Sequence, residues 1–321
     1  MVQVNGQRIL VTGATGFVGQ RVCSLLESQG AVAVKASRAP SSERNTCQVE
    51  ALGPDTDWRA ALQGCSAVVH LAARVHVMND QAVDPLLEFR RANTEGTLQL
   101  ARQAVRAGVK RMVFVSSIKV NGEAGHFTAG SPPNPIDPYG ISKFEAEEQL
   151  LEFGRQSGLE VVVLRPPLVY GPGVKANFLK LLGAVARGVP LPLGAVNNKR
   201  SLVFVGNLAN AIATCLVHPK AAGRVYLVSD NADVSTAQLI REMAQAFGRK
   251  ASLISIPPRL IESLAALLGK RAAAQRLLGD LTVSPQALRE ELEWTPPFSM
   301  QAGMKETADW YMQQGHLRIR S

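Results

Sequence analysis

The segment "RILVTGATGFVG", residues 8–19, decides the fold. A short apolar run ends in a threonine, and Gly13, Gly16 and Gly19 follow it before residues at helical spacing begin. Glycines in this arrangement permit a tight turn, let backbone N–H groups approach a pyrophosphate, and bring the helix close to the strand. Because the glycines stand between a strand and a helix, the segment predicts a dinucleotide-binding loop.

The rest of the first 165 residues repeats this alternation of strand and helix. Further apolar runs rich in valine lie at 31–36, 67–72, 111–116 and 161–165, with helical patterns between them. Continuous apolar strands with intervening helices predict a doubly wound parallel α/β sheet that is covered on both faces. Ligands of such sheets bind beyond the carboxyl ends of the strands.

The pattern changes after "RPPLVYGPG" (165–173), and the chain becomes mostly helical from about residue 230. We predict a dinucleotide-binding domain over residues 1–168 and a smaller, mostly helical substrate domain over 169–321. A strand and a helix near 201–217 are expected to return to the first domain. The amphipathic stretch 259–279 is interpreted as a helix packed on the smaller domain, in preference to a membrane attachment.

Composition excludes several classes of function. The net charge is +9, but no run of five Lys or Arg occurs and aromatic residues make up only 5% of the 321 residues, which argues against nucleic acid and fits anionic small molecules such as nucleotides. No apolar run is long enough to cross a bilayer, so membrane insertion is not expected. The four cysteines are far apart and form no CxxC pair, which predicts reduced thiols, no metal site and a cytoplasmic location. The N-terminus carries no recognisable targeting signal.

The end of the second predicted strand bears on the choice of dinucleotide. NAD binding calls for an Asp or Glu there, about 20 residues beyond the glycines. This chain has Ser37 and Arg38 instead. Since a guanidinium can pair with a 2′-phosphate, the corner favours NADP, with NAD left possible.

Three polar residues suggest acid–base chemistry. The fourth apolar run ends in Ser116 and Ser117. In "DPYGISK" (137–143) an Asp-Pro pair suits the cap and first position of a helix, and Tyr139 and Lys143 follow four residues apart on one face. A lysine ammonium beside a phenol is expected to lower the pKa of Tyr139 and make it an acid or base near neutrality.

The motifs together resemble the extended short-chain dehydrogenase/reductase family, which includes nucleotide-sugar epimerases, dehydratases and reductases on a Rossmann fold. The resemblance rests on "TGATGFVG" (12–19), "HLAA" (70–73), "NTEGT" (93–97), "VSSIKVNG" (115–122), "YGISK" (139–143), "RPPLVYGPG" and "KRSLVFVGNLA" (199–209). It implies Ser117, Tyr139 and Lys143 as the catalytic set. It also implies a cofactor site made of Gly13, Thr15, Gly16, Phe17, Val18, Gly19, Ser37, Arg38, Leu71, Ala72, Ala73, Asn93, Ser116, Tyr139, Lys143, Pro166 and Pro167.

The residues after Ser117 narrow the reaction. Dehydratases of this family carry Asp-Glu there, whereas this chain has Ile118 and Lys119, so a dehydratase is not expected. The resemblance then implies an NADPH-dependent reduction of a UDP-2-acetamido-2,6-dideoxy-4-keto-hexose to UDP-QuiNAc or UDP-FucNAc, for O-antigen or another surface polysaccharide. The alternative is a UDP-hexose or UDP-N-acetylhexosamine 4-epimerase with tightly bound NAD.

The same resemblance implies a UDP-sugar site and a homodimer. Its substrate-binding residues would be Ser117, Lys119, Asn177, Leu193, Arg200, Arg74 and His76. The dimer would form through the helices predicted at 83–107 and 138–157. The role of Asn121, which stands where epimerases usually carry a tyrosine, is left open.

Overall fold

The central feature of the protein is a seven-stranded parallel sheet. The computed structural model describes residues 4–75, 84–267, 269 and 271–315. Within this part of the chain the strands are β1 (Arg8–Thr12), β2 (Val32–Ser37), β3 (Thr46–Gln48), β4 (Ala67–His70), β5 (Arg111–Val115), β6 (Gly125–Phe127), β7 (Glu160–Arg165), β8 (Leu168–Tyr170), β9 (Leu202–Phe204), β10 (Arg224–Leu227) and β11 (Leu281–Val283). The order in the central sheet is β10-β7-β5-β4-β1-β2-β3. All six strand pairs in it are parallel, so the predicted doubly wound fold is confirmed.

Helices surround this sheet and build the second half of the chain. They are α1 (Phe17–Ser28), α2 (Arg59–Leu62), α3 (Pro85–Phe89), α4 (Gly96–Arg106), α5 (Pro138–Ser157), α6 (Ala176–Ala186), α7 (Val205–Val217), α8 (Thr236–Ala246), α9 (Pro258–Leu267), α10 (Arg271–Leu278), α11 (Gln286–Leu292) and α12 (Met300–Gln313). A π-helical turn, Arg90–Glu95, joins α3 to α4. Short 3₁₀ turns lie at Ile118–Val120 and Pro219–Ala221. No helix among these is long and apolar enough to cross a membrane.

The two faces of the sheet bury alternate residues of its strands. Ile9 and Val11 of β1 pack with α1 and α7 on one face, whereas Leu10 packs with α4 and α5 on the other. Because side chains alternate along a strand, an apolar residue at every position leads to burial on both sides. This burial explains why the valine-rich runs predicted the five inner strands.

The second half of the chain leaves the sheet after β7 and later comes back to it. The strand β9 pairs with β8 in a separate two-stranded sheet, while α7 packs against α1 on the central sheet. The strand β10 then extends the central sheet beside β7. The predicted return near 201–217 is therefore made by the helix, and the strand of that segment stays outside the central sheet. The domain boundary at 168 and the homodimer remain predictions.

The stretch 259–279 forms two helices, α9 and α10, and only part of it packs on the second half of the chain. Leu277 and Leu278 of α10 pack against that core, whereas no residue of α9 is buried. Ile261 contributes to the core of the second half, and α10 lies alongside. Most of the apolar surface of α9 faces outward.

Candidate active site

The glycine loop lies against the segment that follows β4. Gly13 has φ +68°, and a Cβ there would lie 2.9 Å from the amide nitrogen of Ala72. A Cβ on Gly19 would lie 2.1 Å from the carbonyl oxygen of Gly13. Only hydrogen fits at these two positions, so the loop can keep its tight path between β1 and α1.

The residues present fit a nicotinamide dinucleotide. Thr15 and Gly16 are exposed where α1 begins, and Phe17 and Val18 are half-buried in its first turn, so N–H groups at the start of the helix can meet a pyrophosphate. The Oγ atom of Ser116 is buried without a hydrogen-bond partner among the described residues, and a ligand hydroxyl or amide could supply one. The other predicted cofactor residues of the strand ends lie at the same edge of the sheet: Leu71, Ala72 and Ala73 after β4, and Pro166 and Pro167 after β7.

The residues at the end of β2 are compatible with either NAD or NADP. Ser37 is buried and donates its hydroxyl proton to the carbonyl oxygen of Ala39, 2.9 Å away. Arg38 is exposed beside a shallow cavity of about 340 Å³ that Gln48 and Glu50 also line. A guanidinium and a carboxylate thus lie near the same corner, although the sequence analysis considered only the former.

The three predicted catalytic residues come together between β5 and α5. Helix α5 begins at Pro138 because the side chain of Asp137 accepts the Gly140 N–H at 2.6 Å, as the sequence indicated. The ammonium of Lys143 donates to the carbonyl oxygen of Val115 at 2.8 Å. The hydroxyl of Ser117 interacts with that of Tyr139.

Burial is the largest cause of the pKa shifts of Tyr139 and Lys143. The pKa of Tyr139 is raised to about 12, first by burial and then by the negative charge of Asp137, while Ser117 lowers it. Burial lowers the pKa of Lys143 to about 7, and the charge of Glu147 opposes that shift. The expectation that Lys143 lowers the pKa of Tyr139 is wrong for this structure, because desolvation disfavours the charged form of both groups.

His70, at the end of β4, is buried and hydrogen-bonded through both ring nitrogens. Nδ1 of His70 lies 2.7 Å from the hydroxyl of Thr12, and Nε2 lies 3.0 Å from the hydroxyl of Thr97. Thr97 donates its proton to the carbonyl oxygen of Asn93, so it accepts from Nε2–H and leaves Nδ1 to accept from Thr12. Burial lowers the pKa of His70 to about 3. This histidine is a neutral part of the core.

Asn93 joins the loop after β4 to helix α5. It lies in the π-helical turn Arg90–Glu95, and its Oδ1 accepts the Arg74 N–H at 2.8 Å. Its Nδ2 donates to the carbonyl oxygen of Arg74 and to the hydroxyl of Ser142, each at 3.0 Å. Ser142 in turn donates to the carbonyl oxygen of Tyr139 at 2.9 Å. Asn93 thus links the loop after β4 to α5 through Ser142, and its place in the cofactor site stays a prediction.

Lys119 forms an ion pair at the start of helix α5. Its ammonium pairs with the carboxylate of Asp137 and, at 3.0 Å, with Oε1 of Glu123. A Cβ on Gly140 would lie 2.9 Å from the carbonyl oxygen of Lys119, so the two segments are in close contact. Both carboxylate partners come from the chain itself, and the assignment of Lys119 as a substrate contact stays a prediction.

A buried ionic cluster that the sequence analysis missed lies behind the site. The guanidinium of Arg165 donates to both carboxylate oxygens of Glu147, at 3.0–3.1 Å from Nε, and at 3.0 Å to Oδ1 of Asn121. The amide of Asn121 donates to the carbonyl oxygen of Ser131 at 3.1 Å. Since Glu147 follows Lys143 by one helical turn, the cluster ties β7 to α5. It also gives Asn121 a role as a hydrogen-bond partner of Arg165.

Arg200 is held at the base of the second half of the chain. Its Nη1 donates to the carbonyl oxygen of Gly279 at 3.0 Å, and its backbone pairs with Val234. Burial lowers the pKa of the Arg200 guanidinium, and the charge of Asp280 opposes the shift. Its proposed contact with a diphosphate stays a prediction.

The other predicted substrate residues are spread around the site. Asn177 is exposed in the first turn of α6, whereas Leu193 is only 6% exposed and packs in the core of the second half. The guanidinium of Arg74 lies 5.5 Å from the centroid of the Phe89 ring, which meets Tyr139 edge-on at 6.2 Å. His76 lies outside the described residues.

Comparison with known sequences identifies one family model and two related 4-epimerases. Residues 9–229 match the model of the NAD dependent epimerase/dehydratase family. A UDP-glucose 4-epimerase from Vibrio cholerae is 43% identical over 95% of this chain and 95% of its own length. An N-acetyl-alpha-D-glucosaminyl-diphospho-ditrans,octacis-undecaprenol 4-epimerase from Escherichia coli O157:H7 is 30% identical over 78% of this chain and 75% of its own length.

Solved structures share the fold over nearly the whole chain. UDP-N-acetylglucosamine 4-epimerase from Bacillus cereus superposes with a TM-score of 0.77 at 19% identity, covering 98% of this chain and 99% of that one. RMD from Pseudomonas aeruginosa complexed with NADPH gives a TM-score of 0.72 at 24% identity, over 96% and 99% of the two chains. MoeE5 in complex with UDP-glucuronic acid and NAD gives 0.75 at 24% identity, again over 96% and 99%.

Proposed function

Because the chain belongs to the NAD dependent epimerase/dehydratase family, we propose that it is a UDP-sugar 4-epimerase that uses a nicotinamide cofactor. The observation that carries this proposal is the 43% identity to a UDP-glucose 4-epimerase over 95% of both chains. The 4-ketoreductase preferred on sequence grounds has less support than the epimerase alternative. The substrate is a UDP-hexose or a UDP-N-acetylhexosamine.

In the proposed reaction Ser117, Tyr139 and Lys143 each have a separate role. The nicotinamide dinucleotide that this site fits would supply hydride transfer to and from C4 of the sugar. Tyr139 exchanges a proton with the 4-hydroxyl, and Ser117 hydrogen-bonds the same oxygen. Taking the 4-hydroxyl proton requires the phenolate of Tyr139, and giving it back requires the phenol. Because burial raises the pKa of Tyr139 to about 12, the phenol is the resting form at neutral pH in the geometry described.

Lys143 positions the cofactor side of the site. Its ammonium lies 3.9 Å from the centroid of the Phe114 ring and bonds the carbonyl oxygen of Val115, so it is held at the edge of the sheet where the ribose of a dinucleotide would lie. The cluster of Glu147 and Arg165 anchors the helix that carries it. These contacts hold Lys143 and its helix against β5 and β7.

The test is interconversion of UDP-glucose and UDP-galactose, and of UDP-GlcNAc and UDP-GalNAc, by the purified protein without added cofactor. We expect turnover of at least one pair. The Tyr139→Phe variant should lose about 10²–10⁴-fold in rate, while its binding of NADH, followed by fluorescence, stays unchanged. A variant as active as the wild type would contradict the role given to Tyr139.

A reductase is the second candidate, and exposed Arg38 at the end of β2 is the observation in its favour. Mixing the protein with a UDP-4-keto-6-deoxy-N-acetylhexosamine and NADPH, with NADH in parallel, separates the two reactions. Stoichiometric loss of NADPH absorbance without epimerisation of any UDP-sugar would replace the epimerase with the reductase.

A further inference from the structure

Helix α9 presents a row of leucines to the outside of the protein. Leu260, Leu264 and Leu267 are 61%, 59% and 85% exposed. Their spacing of four and three residues places them on one side of the helix. Ile254, in the strand-like segment just before the helix, is also 51% exposed. These four are among the ten large apolar side chains that are exposed in the described part of the chain, so nearly half of that set falls within fourteen residues.

The opposite side of the helix meets the protein or is polar. Ile261 packs against the core of the second half, and Arg259, Glu262 and Ser263 are exposed. The leucine row therefore lies outside both the packed side and the polar side. When the apolar side of an amphipathic helix does not pack against its own domain, that side is expected to bind another molecule or surface.

The surroundings of the helix are strongly basic. Residues 249–271 contain five Lys or Arg and one acidic residue, Glu262. That stretch thus carries a net charge of +4, out of +9 for the whole chain. Arg249, Lys250 and Arg259 are exposed beside or within the same segment.

We propose that α9 is a docking surface for an anionic phospholipid membrane. The leucine row (Leu260, Leu264 and Leu267) would enter the headgroup region, while the exposed Arg249, Lys250 and Arg259 face the phosphates. Leucines on one side and cations around them match the chemistry of helices that lie in the membrane interface without crossing it. The expectation that the protein does not insert across a bilayer is unaffected, because the attachment is to one surface.

A second copy of this chain fits the surface less well. Most protein dimers are two-fold symmetric, so the same patch faces itself. Two segments of charge +4 would then be brought together, and like charges in contact oppose association. An anionic lipid surface reverses the sign of this electrostatic effect.

The proposal is tested by sedimentation of the full-length protein with lipid vesicles. One set contains phosphatidylcholine alone, and the other contains phosphatidylcholine mixed with phosphatidylglycerol. We expect binding to the anionic vesicles, at least about tenfold weaker binding to the neutral ones, and release at high salt. Binding does not depend on turnover, so the result is independent of the proposed epimerase activity.

Variants identify the surface. The double variant Leu264→Ser/Leu267→Ser keeps the net charge and should bind the anionic vesicles at least about tenfold more weakly. Met312→Ser is the matched control, because Met312 is 45% exposed on α12, away from α9 in sequence and in element. It should bind as the wild type does. Urea unfolding and UDP-sugar turnover, both expected to be unchanged in the double variant, verify that the fold is intact.

Two results would overturn the proposal. One is a wild-type protein that sediments with neither vesicle at low salt. The other is a double variant that still binds the lipid but loses a concentration-dependent dimer in analytical ultracentrifugation, which would assign the leucine row to a second copy of the chain.

Discussion

The buried ammonium of Lys143 should make the protein less stable than it could be. Lys143 is 1% exposed, and burial lowers its pKa from 10.5 to about 7. Replacing it with methionine keeps the length of the side chain and removes the charge. We expect Lys143→Met to abolish turnover and at the same time to raise the free energy of unfolding.

The magnitude follows from the pKa shift. At about 1.4 kcal/mol per pKa unit, a fall from 10.5 to about 7 corresponds to about 5 kcal/mol. Below the native pKa the lysine is charged in both states, so the native state carries the whole cost of burying the ammonium. Above the unfolded pKa the lysine is neutral in both states and the cost disappears. Stability of the wild type should therefore rise with pH between about 7 and 10.5.

The methionine variant also loses a hydrogen bond. The carbonyl oxygen of Val115 accepts from Lys143 at 2.8 Å, and leaving it without a partner costs about 1–3 kcal/mol. The net gain at pH 6 should then be about 2–4 kcal/mol. It should shrink by about 3 kcal/mol between pH 6 and pH 9, because the native lysine loses its proton above pH 7 and no longer bears the cost of a buried charge, while the unfolded lysine stays charged.

The assay is urea unfolding of both proteins at a series of pH values, followed by circular dichroism. Tyr139→Phe serves as the control, since it also removes a catalytic group but should show no pH-dependent gain in this range. If Lys143→Met were no more stable than the wild type at pH 6, or if the difference did not change with pH, the ammonium would not bear the desolvation cost inferred from its burial.

Three further substitutions test other parts of the site. Gly140→Ala brings a Cβ to within 2.9 Å of a carbonyl oxygen and should lower the free energy of unfolding by about 1–3 kcal/mol, whereas Gly130→Ala, with open space around it, should not. Arg165→Met leaves the buried carboxylate of Glu147 unpaired and should cost about 3–5 kcal/mol; in a double-mutant cycle, replacing both residues by methionine should recover most of the loss, and no recovery would argue against the pair. Arg38→Ala should weaken binding of NADPH and leave NADH unchanged in a fluorescence titration; equal effects on the two would remove Arg38 from the 2′-phosphate site.

The sequence predicted the features that depend on local pattern. The glycine loop and the five inner strands follow from spacing and from continuous apolar runs, and the cap at Asp137 follows from the residue types around Pro138. The edge strands β3 and β10 were not predicted. β3 is three residues long and has no buried residue, so it lacks the apolar signal on which the prediction depends. β10 has that signal, but it comes long after β7 in sequence, and its pairing with β7 is a property of the folded chain.

Features that depend on contacts distant in sequence could not be derived in the same way. Asn121 pairs with Arg165, forty-four positions away. A signal was present all the same: an arginine at the end of a buried strand needs a carboxylate, and Glu147 lies one helical turn beyond Lys143. The error over the pKa of Tyr139 has the same origin, because the degree of burial is a property of the folded chain and not of the spacing of Tyr139 and Lys143.

In the π-helical turn Arg90–Glu95, the number of residues matters more than the residue types. Such a turn accommodates one more residue than an α-helical turn does, and each residue of a helix rotates it by about 100°. Deleting a single residue there would restore regular α-helix and turn Asn93 away from Ser142 and from the backbone of Arg74. Arg91 is exposed, so most substitutions at this position should be tolerated, whereas deletion of the whole residue should abolish activity. A scan of insertions and deletions along α3 and α4 would therefore show a sharp minimum in tolerance at a place where a scan of substitutions shows little.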